Sequence, residues 1–334
     1  MKLLMKGLKI AGLLLGILVV LYVFGPKVEE PDLDKRLPKM TSDLFELEAQ
    51  INAKERMLDN IKPDNQARIV WFDSIPQKTP YSIVYLHGWS ASQEEGDPIH
   101  LNTAKRFGCN LYLPRLAGHG LNENEPMLDL TADNVINSAK EAIAVAKQLG
   151  EKVIIMATST GGTLALHLAG GDTDVAALLL YSPNVEIFDT NAKLLSKPWG
   201  LQMARLVKGS EYHEFDTDIE LKNQYWTTKY RLEALTHLQA MVDFTMTEET
   251  FQEVTQPVFL GYFYKNDSIQ DQVVSVPALL KMYKQLGTPN DKKLKKAFPD
   301  AGDHVMTSYI TSKDLITVQK ETNTFLQSIV GLQQ

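Results

Sequence analysis

The chain has 334 residues, of which 44% are hydrophobic and 22% are charged, a composition typical of a globular protein with a sizeable core. The net charge of −7 is spread along the sequence without a basic stripe, which excludes a nucleic acid as partner. A single cysteine, Cys109, excludes an internal disulfide framework and a multi-cysteine metal site. It begins an apolar run in which a thiol packs well.

The sequence of residues 1–25 predicts a membrane anchor. Three lysines among the first nine residues precede an uncharged apolar run from Ile10 to Gly25, which with Leu8 approaches the roughly 17–20 residues needed to span a bilayer. A cleaved secretory signal begins in the same way, but residues 20–25 are bulky where its cleavage site needs small side chains. We therefore favour an uncleaved anchor, whose N-terminal lysines place the following domain outside the cytoplasm.

Residues 26–66 predict an exposed tether and a lead-in helix. Three prolines and alternating charges before Met40 are typical of an extended linker. From Ser42 onward, apolar residues recur at roughly helical spacing until Pro63 ends the pattern. We expect this helix to pack on the domain that follows.

Residues 67–334 predict one α/β domain. Short apolar runs alternate with helical stretches, of which Thr131–Leu149 is the clearest, and this alternation indicates a mostly parallel sheet covered by helices on both faces. A closing helix is predicted over residues 315–330. The predicted strands cover residues 68–73, 82–86, 110–113, 153–157, 177–181, 257–264 and 293–298.

Residues 184–255, called the cap below, interrupt this alternation, because aromatic and aliphatic residues mix with charged ones and no clear strand is present. The segment predicts a helical insertion between two strands of the sheet. We interpret it as a cap over an active site, since sites in such sheets form at the strand ends. Extra packing is the alternative interpretation.

Ser159 follows the apolar run Val153–Ala157 and precedes two glycines and a helix rich in alanine and leucine. This strand–turn–helix pattern is typical of a nucleophile elbow, Gly-x-Ser-x-Gly, in which the residues two positions from the serine must be small. Gly161 fits the pattern, and Ala157 departs from it while remaining small. The turn would raise the Ser159 hydroxyl above the sheet and aim the backbone N–H of Thr160 in the same direction.

A His-Gly pair, His87-Gly88, follows the predicted strand 82–86 and predicts an oxyanion hole. The glycine permits a tight turn, and we assign the donating N–H groups to Trp89 and Thr160, which would stabilise the oxyanion of a tetrahedral intermediate. We expect His87 to support this loop rather than act as a base, because the base comes last in the chain order of this architecture.

His304 stands in that last position, and its neutral imidazole would accept the Ser159 proton. The acid must precede it, after the strand 257–264, and Asp267 and Asp271 both qualify. We favour Asp271 because it begins an Asp-x-Val-Val sequence, the form usual for this acid, and Asp267 remains the alternative. The other histidines show no metal-like spacing with carboxylates, so no metal is expected.

Together these motifs resemble the α/β-hydrolase superfamily, and within it the serine carboxylesterase and monoacylglycerol-lipase-like branch. The resemblance extends from about residue 68 to the C-terminus and rests on five segments: 87–89, 116–120, 158–162, 271–274 and 302–304. It implies an eight-stranded, mostly parallel sheet with a helical cap, no cofactor, and hydrolysis through an acyl-enzyme. It also implies a triad and an oxyanion hole, formed by Ser159, Asp271 and His304 and by the amides of Trp89 and Thr160.

The predicted activity is cleavage of a carboxylic ester by a serine hydrolase. The apolar cap and the anchor favour a lipid-like acyl ester as substrate and contact with a membrane. A thioesterase or a peptidase of the same fold remains open. The alternative from another class is a membrane-tethered binding protein that has lost its activity. All five predicted site residues are present, which favours the enzyme.

Overall fold

The computed structural model describes residues 2–333 and places a central sheet between two layers of helices. Met1 and Gln334, the outer limits of the predicted anchor and of the predicted α/β domain, lie outside the described residues. The predicted α/β architecture is confirmed.

The secondary structure follows the predicted alternation along most of the chain. The strands within residues 2–333 are β1 Arg68–Val70, β2 Thr79–Leu86, β3 Asn110–Leu113, β4 Gly150–Thr158, β5 Val175–Tyr181, β6 Tyr212–Glu214, β7 Lys229–Arg231, β8 Val258–Tyr262, β9 Tyr264–Asn266, β10 Ile269–Gln270 and β11 Lys293–Ala297. The helices are α1 Lys2–Val23, α2 Leu44–Arg56, α3 Ile99–Arg106, α4 Ala132–Leu149, α5 Thr160–Ala169, α6 Gly200–Lys208, α7 Glu220–Tyr225, α8 Leu232–Thr245, α9 Glu248–Glu253, α10 Val276–Gln285 and α11 Leu315–Phe325. Short helical turns lie at Gln93–Gly96, Thr190–Leu194, Asn290–Lys292 and Leu326–Val330.

The central sheet has seven strands in the order β1-β3-β2-β4-β5-β8-β11, and all neighbours are parallel except the edge pair of β1 and β3. The expectation of eight strands is therefore wrong for this chain. The segment between α2 and β1 forms turns and one isolated bridge, of Ile61 with Leu121, instead of a further edge strand.

Both faces of the sheet are buried, and β4 shows how the sequence achieves this. Val153, Ile155 and Ala157 point into the core that α4 and α5 cover. Ile154 and Met156 point the opposite way, into the core that α3 and α11 cover. Side chains of a strand alternate between faces, so a continuous apolar run serves both cores at once. The carboxyl ends of the parallel strands meet along one edge, where sites of this architecture form.

The cap contains α6 to α9 and, in addition, a two-stranded antiparallel ribbon of β6 and β7. The ribbon pairs Tyr212 with Arg231 and Glu214 with Lys229. The expectation of a purely helical insertion is corrected on this point. Each strand has three residues, which is too short to produce a readable alternation of apolar and polar side chains.

Helix α1 projects from the rest of the chain. Its residues Leu4–Val23 are long and apolar enough to cross a membrane, and none of that stretch is buried. The end of α1 meets the cap at Trp199, whose indole N–H donates to the carbonyl of Leu21 at 2.9 Å. The backbone N–H of Trp199 donates to the carbonyl of Pro26 at 2.8 Å.

Residues 26–43, called the strap below, follow α1 without a helix or strand. Most of the strap is exposed, but the Asp32 N–H donates to the Asp133 carboxylate at 2.7 Å, and Lys35 forms an ion pair with Glu253. The strap therefore lies along the domain. Helix α2 then begins, with Asp43 accepting hydrogen bonds from the first-turn N–H groups.

Candidate active site

Ser159 occupies the sharp turn between β4 and α5, with φ 53° and ψ −119°. This left-handed conformation is strained for a residue with a side chain, and strained backbone of this kind clusters at functional sites. Several hydrogen bonds hold it in place: the Ser159 N–H donates to the carbonyl of Tyr181 at 3.0 Å, and the Ser159 carbonyl accepts from the Asn184 N–H at 2.8 Å. The end of β5 thus fixes the turn.

The small residues around Ser159 are required by close backbone contacts. A Cβ atom on Gly161 would lie 1.9 Å from the carbonyl oxygen of Leu86, so only glycine fits there. Ala157 is fully buried between the paired residues Leu86 and Leu180, and its methyl group packs in the core. The elbow geometry therefore forms with alanine at the position where glycine is usual.

The loop after β2 brings its backbone to the same place. His87 is fully buried, its Nε2 accepts the Leu116 N–H at 3.1 Å, and burial lowers its pKa to about 3. A neutral imidazole that is committed to a backbone N–H fits the expected role of loop support. The backbone N–H groups of Trp89 and Thr160 have no hydrogen-bond acceptor among residues 2–333. Both are consequently available to a ligand.

His119 supports the same loop from the other side. It is buried, its ring lies 5.0 Å from that of His87 and 5.5 Å from that of Trp89, both in edge-to-face contact. Its Nδ1 lies 2.8 Å from the carbonyl of Ala117. This packing gives His119 a structural role, because it orients Trp89 at the rim of the site.

Asp271 and His304 form a buried pair across two loops. His304 Nδ1 lies 2.6 Å from Asp271 Oδ2, while Asp271 Oδ1 accepts the N–H groups of Val273 at 2.9 Å and Val274 at 3.0 Å. These two bonds explain the Asp-x-Val-Val sequence, because the N–H groups of the second and third residues after the aspartate fix its carboxylate. His304 Nε2 is buried and has no partner among the described residues.

The pair stabilises its own charges. Burial raises the pKa of Asp271, but the charge and hydrogen bond of His304 and the two backbone N–H groups reverse this, so the pKa is lowered. Burial lowers the pKa of His304, but attraction and hydrogen bonding to Asp271 outweigh it, so the pKa is raised. Asp271 therefore stays ionised, and it stabilises an imidazolium at His304.

Asp267, the alternative acid, is not brought to this pair. It lies on the exposed turn between β9 and β10, where its carboxylate accepts the Tyr264 hydroxyl at 2.8 Å. The strand before the loop ends at Tyr262, and the ribbon of β9 and β10 carries the chain outward before it returns at Asp271.

A cavity of about 610 Å³ opens above Ser159, between the sheet edge and the cap. Its body side includes Ser159, Thr160, Trp89 and His304, so four of the five predicted site residues line it. Its cap side is largely apolar and aromatic and includes Phe215, Trp226, Tyr230, Leu235 and Leu238. The fifth residue, Asp271, lies behind His304 and is fully buried.

Glu95 and Lys222 are among the charged residues of the cavity that no sequence motif marks. Glu95 lies on the body side, in the helical turn Gln93–Gly96, and is 2% exposed. Lys222 lies on α7 of the cap, with its ammonium 6.0 Å from the ring of Phe215 and 5.9 Å from that of Trp226. Neither belongs to a motif, and the two adjacent glutamates Glu94-Glu95 in a buried stretch are the only signal that singles out Glu95.

The described residues contain no group of three or more His, Cys, Asp or Glu side chains that could hold a metal ion. The expectation that the protein uses no cofactor stays a prediction.

Known proteins are similar to this chain in sequence. A family model described as "Alpha/beta hydrolase family" matches residues 83–309. The thermostable monoacylglycerol lipase of a Bacillus species is 30% identical over 108 residues, which are 32% of this chain and 42% of that protein. The match thus spans less than half of that relative's length.

Solved structures share the fold. A chain from the metagenome-derived lipolytic enzymes LipS and LipT superposes with a TM-score of 0.64 at 16% identity, covering 80% of this chain and 99% of that chain. The monoacylglycerol lipase of Paleococcus ferrophilus gives a TM-score of 0.56 at 10% identity, covering 80% of this chain and 98% of that chain. Because the family model matches residues 83–309, more than half of the sequence, the chain belongs to the alpha/beta hydrolase family.

Proposed function

We propose that the protein is a serine hydrolase that cleaves carboxylic esters through a Ser159–His304–Asp271 triad. The proposal rests on the hydrogen bond between Asp271 and His304, because His304 lines the same cavity as Ser159 in its strained strand-to-helix turn. Asp271 holds the proton on Nδ1, which leaves Nε2 as the free base facing the cavity. The similarity to lipolytic enzymes supports the same class of reaction.

In the proposed mechanism, Nε2 of His304 takes the hydroxyl proton as Ser159 Oγ attacks the ester carbonyl carbon. The carbonyl oxygen becomes an oxyanion that accepts the N–H groups of Trp89 and Thr160. The intermediate collapses as Nε2 returns the proton to the leaving alcohol, and an acyl-serine remains. Water then gives a proton to Nε2 as its oxygen attacks the acyl carbon. Nε2 passes that proton to Ser159 Oγ as the bond between Oγ and the acyl carbon breaks, which releases the carboxylic acid and regenerates the Ser159 hydroxyl.

We infer an apolar, lipid-like acyl ester as the substrate. The cap side of the cavity offers rings and aliphatic side chains, and burial of an acyl chain there stabilises binding by about 25 cal/mol for each Å² of apolar surface removed from water. The relative that shares 30% identity over 108 residues is a monoacylglycerol lipase, which supports the same substrate class.

We also propose that α1 is an uncleaved anchor and that the hydrolase domain lies outside the cytoplasm. The length and apolar character of Leu4–Val23 and its lack of burial support the anchor. The lysines that precede the apolar run support the outward orientation. Protease treatment of intact spheroplasts should degrade the domain, and a domain protected from protease on that side would contradict the orientation.

A fluorophosphonate probe tests the chemistry directly, because it reacts with activated serines. The full-length chain in detergent micelles should be labelled, Ser159→Ala should not, and Ser268→Ala, which removes an exposed serine on the β9–β10 turn, should be labelled like the wild type. An unlabelled wild type would instead support a binding protein that has lost its activity. If the protein hydrolyses thioesters or peptides and not esters, the proposed substrate class is wrong, but Ser159 remains the nucleophile.

A further inference from the structure

Glu95 is a buried carboxylate beside the nucleophile that the proposed mechanism does not use. Its Oε2 accepts the Gly88 N–H at 2.6 Å and the Tyr85 hydroxyl at 3.1 Å. A Cβ atom on Gly88 would lie 2.6 Å from Glu95 Oε1 and 3.1 Å from the Cβ of Ser159. The carboxylate and the serine therefore flank the same glycine, one residue before the oxyanion donor Trp89.

Hydrogen bonds from Glu95 continue into the other two loops of the site. The Tyr85 hydroxyl, which donates to Glu95, lies 2.9 Å from the Thr158 hydroxyl, and Thr158 immediately precedes Ser159. The Thr158 hydroxyl lies 3.4 Å from that of Thr307, three residues after His304. The Thr307 hydroxyl donates to the backbone carbonyl of Glu95 at 2.8 Å. These contacts link the oxyanion loop, the elbow and the histidine loop, and the single hydroxyl proton of Thr158 is donated either to Tyr85 or to Thr307.

We propose that Glu95 is a positioning residue of the hydrolase, whose ionised carboxylate fixes the oxyanion loop through Gly88 and favours the imidazolium form of His304. The inference rests on the proposed function. A charge-assisted bond to Gly88 N–H orients the peptide planes that lead to the Trp89 donor. The same negative charge stabilises the positive charge that His304 carries in the transition state.

The surroundings make this charge dependent on pH near neutrality. Burial raises the pKa of Glu95 to about 7, although the Gly88 N–H, the charge of His304 and the Tyr85 hydroxyl all lower it. The titratable groups that face the carboxylate are Tyr85 on β2, His304 on the loop after β11 and, more weakly, Lys222 on α7. The active form therefore requires two protons to have left, one from Glu95 and one from His304, and the two titrations are coupled.

The test is the pH dependence of kcat/KM for p-nitrophenyl butyrate with the full-length chain in detergent micelles. In the wild type, the acid limb should reach a two-proton slope only below the pKa of Glu95, where both Glu95 and His304 are protonated. Glu95→Gln keeps the side-chain shape and an acceptor for the Gly88 N–H but removes the charge. The slope of the acid limb should therefore decrease to that of a one-proton ionisation, and the limb should move to lower pH. The plateau value of kcat should drop by about 10- to 100-fold, with KM within about twofold.

Tyr85→Phe provides a second variant with the opposite shift. The Tyr85 hydroxyl lowers the pKa of Glu95, so its removal should raise that pKa and move the acid limb to higher pH while the two-proton slope remains. This variant also covers the case in which Glu95→Gln unfolds, which a thermal unfolding curve would reveal. Glu94→Gln is the matched control, because Glu94 accepts the Tyr309 hydroxyl instead of contacting Gly88.

Three possible results decide between the proposal and its alternatives. A shift in opposite directions for Glu95→Gln and Tyr85→Phe, with Glu94→Gln like the wild type, supports the proposal. An unchanged slope and a plateau within about threefold in a folded Glu95→Gln overturns it, as does an unshifted limb in Tyr85→Phe. Failure of the wild type to hydrolyse the ester or to react with fluorophosphonate contradicts the proposed function itself, and it is recognised before any variant is compared.

Discussion

The two walls of the cavity are built in different ways. On the body side, Ser159, Asp271 and His304 sit on loops at the ends of parallel strands, and backbone hydrogen bonds or buried carboxylates hold each of them. On the cap side, Phe215 follows a three-residue strand and is only half-buried. The body wall is thus a backbone scaffold with little freedom, whereas the cap wall consists mainly of side chains on short elements.

This difference separates two kinds of constraint. Chemistry needs atoms held within fractions of an ångström, which the sheet edge supplies. Binding of an acyl chain needs apolar surface of suitable size, which many side chains can provide. We therefore expect changes on the body side to reduce kcat by orders of magnitude, and changes on the cap side to alter selectivity between substrates.

The largest effect that separates the two walls is expected for Asp271→Asn. The amide cannot hold His304 in the tautomer that leaves Nε2 free, so kcat should fall by about 10⁴-fold with KM nearly unchanged. Asp267→Asn is the matched control, since Asp267 contacts Tyr264 on an exposed turn, and its kcat should stay within about twofold of wild type. Steady-state hydrolysis of p-nitrophenyl butyrate measures both. A collapse with Asp267→Asn alone would mean that the acid is misassigned.

The body wall was largely predictable because its residues stand in short local patterns. Gly161 must be glycine because the Leu86 carbonyl approaches its Cα, and Asp271 is followed by the N–H groups that bind it. The choice between Asp271 and Asp267 stayed open, because two acids four residues apart in one loop cannot be ordered by chain position. Glu95 was not predicted, since its role depends on contacts that only the folded chain creates.

On the cap wall, Phe215→Ala should change selectivity more than catalysis. Loss of the half-buried phenyl ring removes about 1–1.5 kcal/mol of binding to a long acyl chain, so kcat/KM for p-nitrophenyl esters of long acids should fall by about 5- to 13-fold. The acetate ester, which is too short to reach the ring, should change by less than about threefold. Phe244→Ala makes the same change on α8 outside the cavity and should alter neither substrate. Equal losses for both esters would place Phe215 in the catalytic wall instead.

The cap was predicted only in outline. Its position in the chain and its apolar content could be predicted from the sequence. However, two of its apolar residues, Trp199 and Leu206, lie at the surface, and Leu206 is 83% exposed. The spacing of apolar residues along a short helix does not show which neighbouring element those residues pack against. The β6–β7 ribbon also escaped prediction, because tertiary pairing, not local pattern, defines it.

A smaller effect is expected where the two walls are joined. Arg231 of the cap donates to Glu125 of the body at 2.8 Å, to Glu211 at 2.8 Å and to Glu233 at 2.7 Å. Arg231→Met leaves these carboxylates without their shared cation, and since Glu125 and Glu211 are about half-exposed, we expect a loss of only about 1–3 kcal/mol in the free energy of unfolding.

Urea unfolding of the full-length chain in detergent measures this loss, and fluorophosphonate labelling of the folded variant should persist. Lys229→Met is the control, because its ion pair with Glu214 spans 3.5 Å between exposed side chains, so it should cost no more than about 1 kcal/mol. Equal losses for the two variants would show that Arg231 does not join the cap to the body.

The smallest effect concerns the contact between the cap and α1. Trp199→Phe removes the indole N–H that donates to Leu21 but keeps an aromatic ring, and one such bond contributes about 1 kcal/mol. The end of α1, and with it the first residues of the strap, should then separate from the cap about fivefold more often. Trypsin should cleave at the exposed Lys27 about fivefold faster, because cleavage follows the population of the open form. Trp71→Phe removes an equivalent bond, from the indole to Glu48, at a distance from the strap, so it should leave cleavage at Lys27 unchanged. If both variants are cleaved at the wild-type rate, the Trp199 hydrogen bond does not hold the strap in place. The contacts of the cap with the body would then be the ones that fix its position.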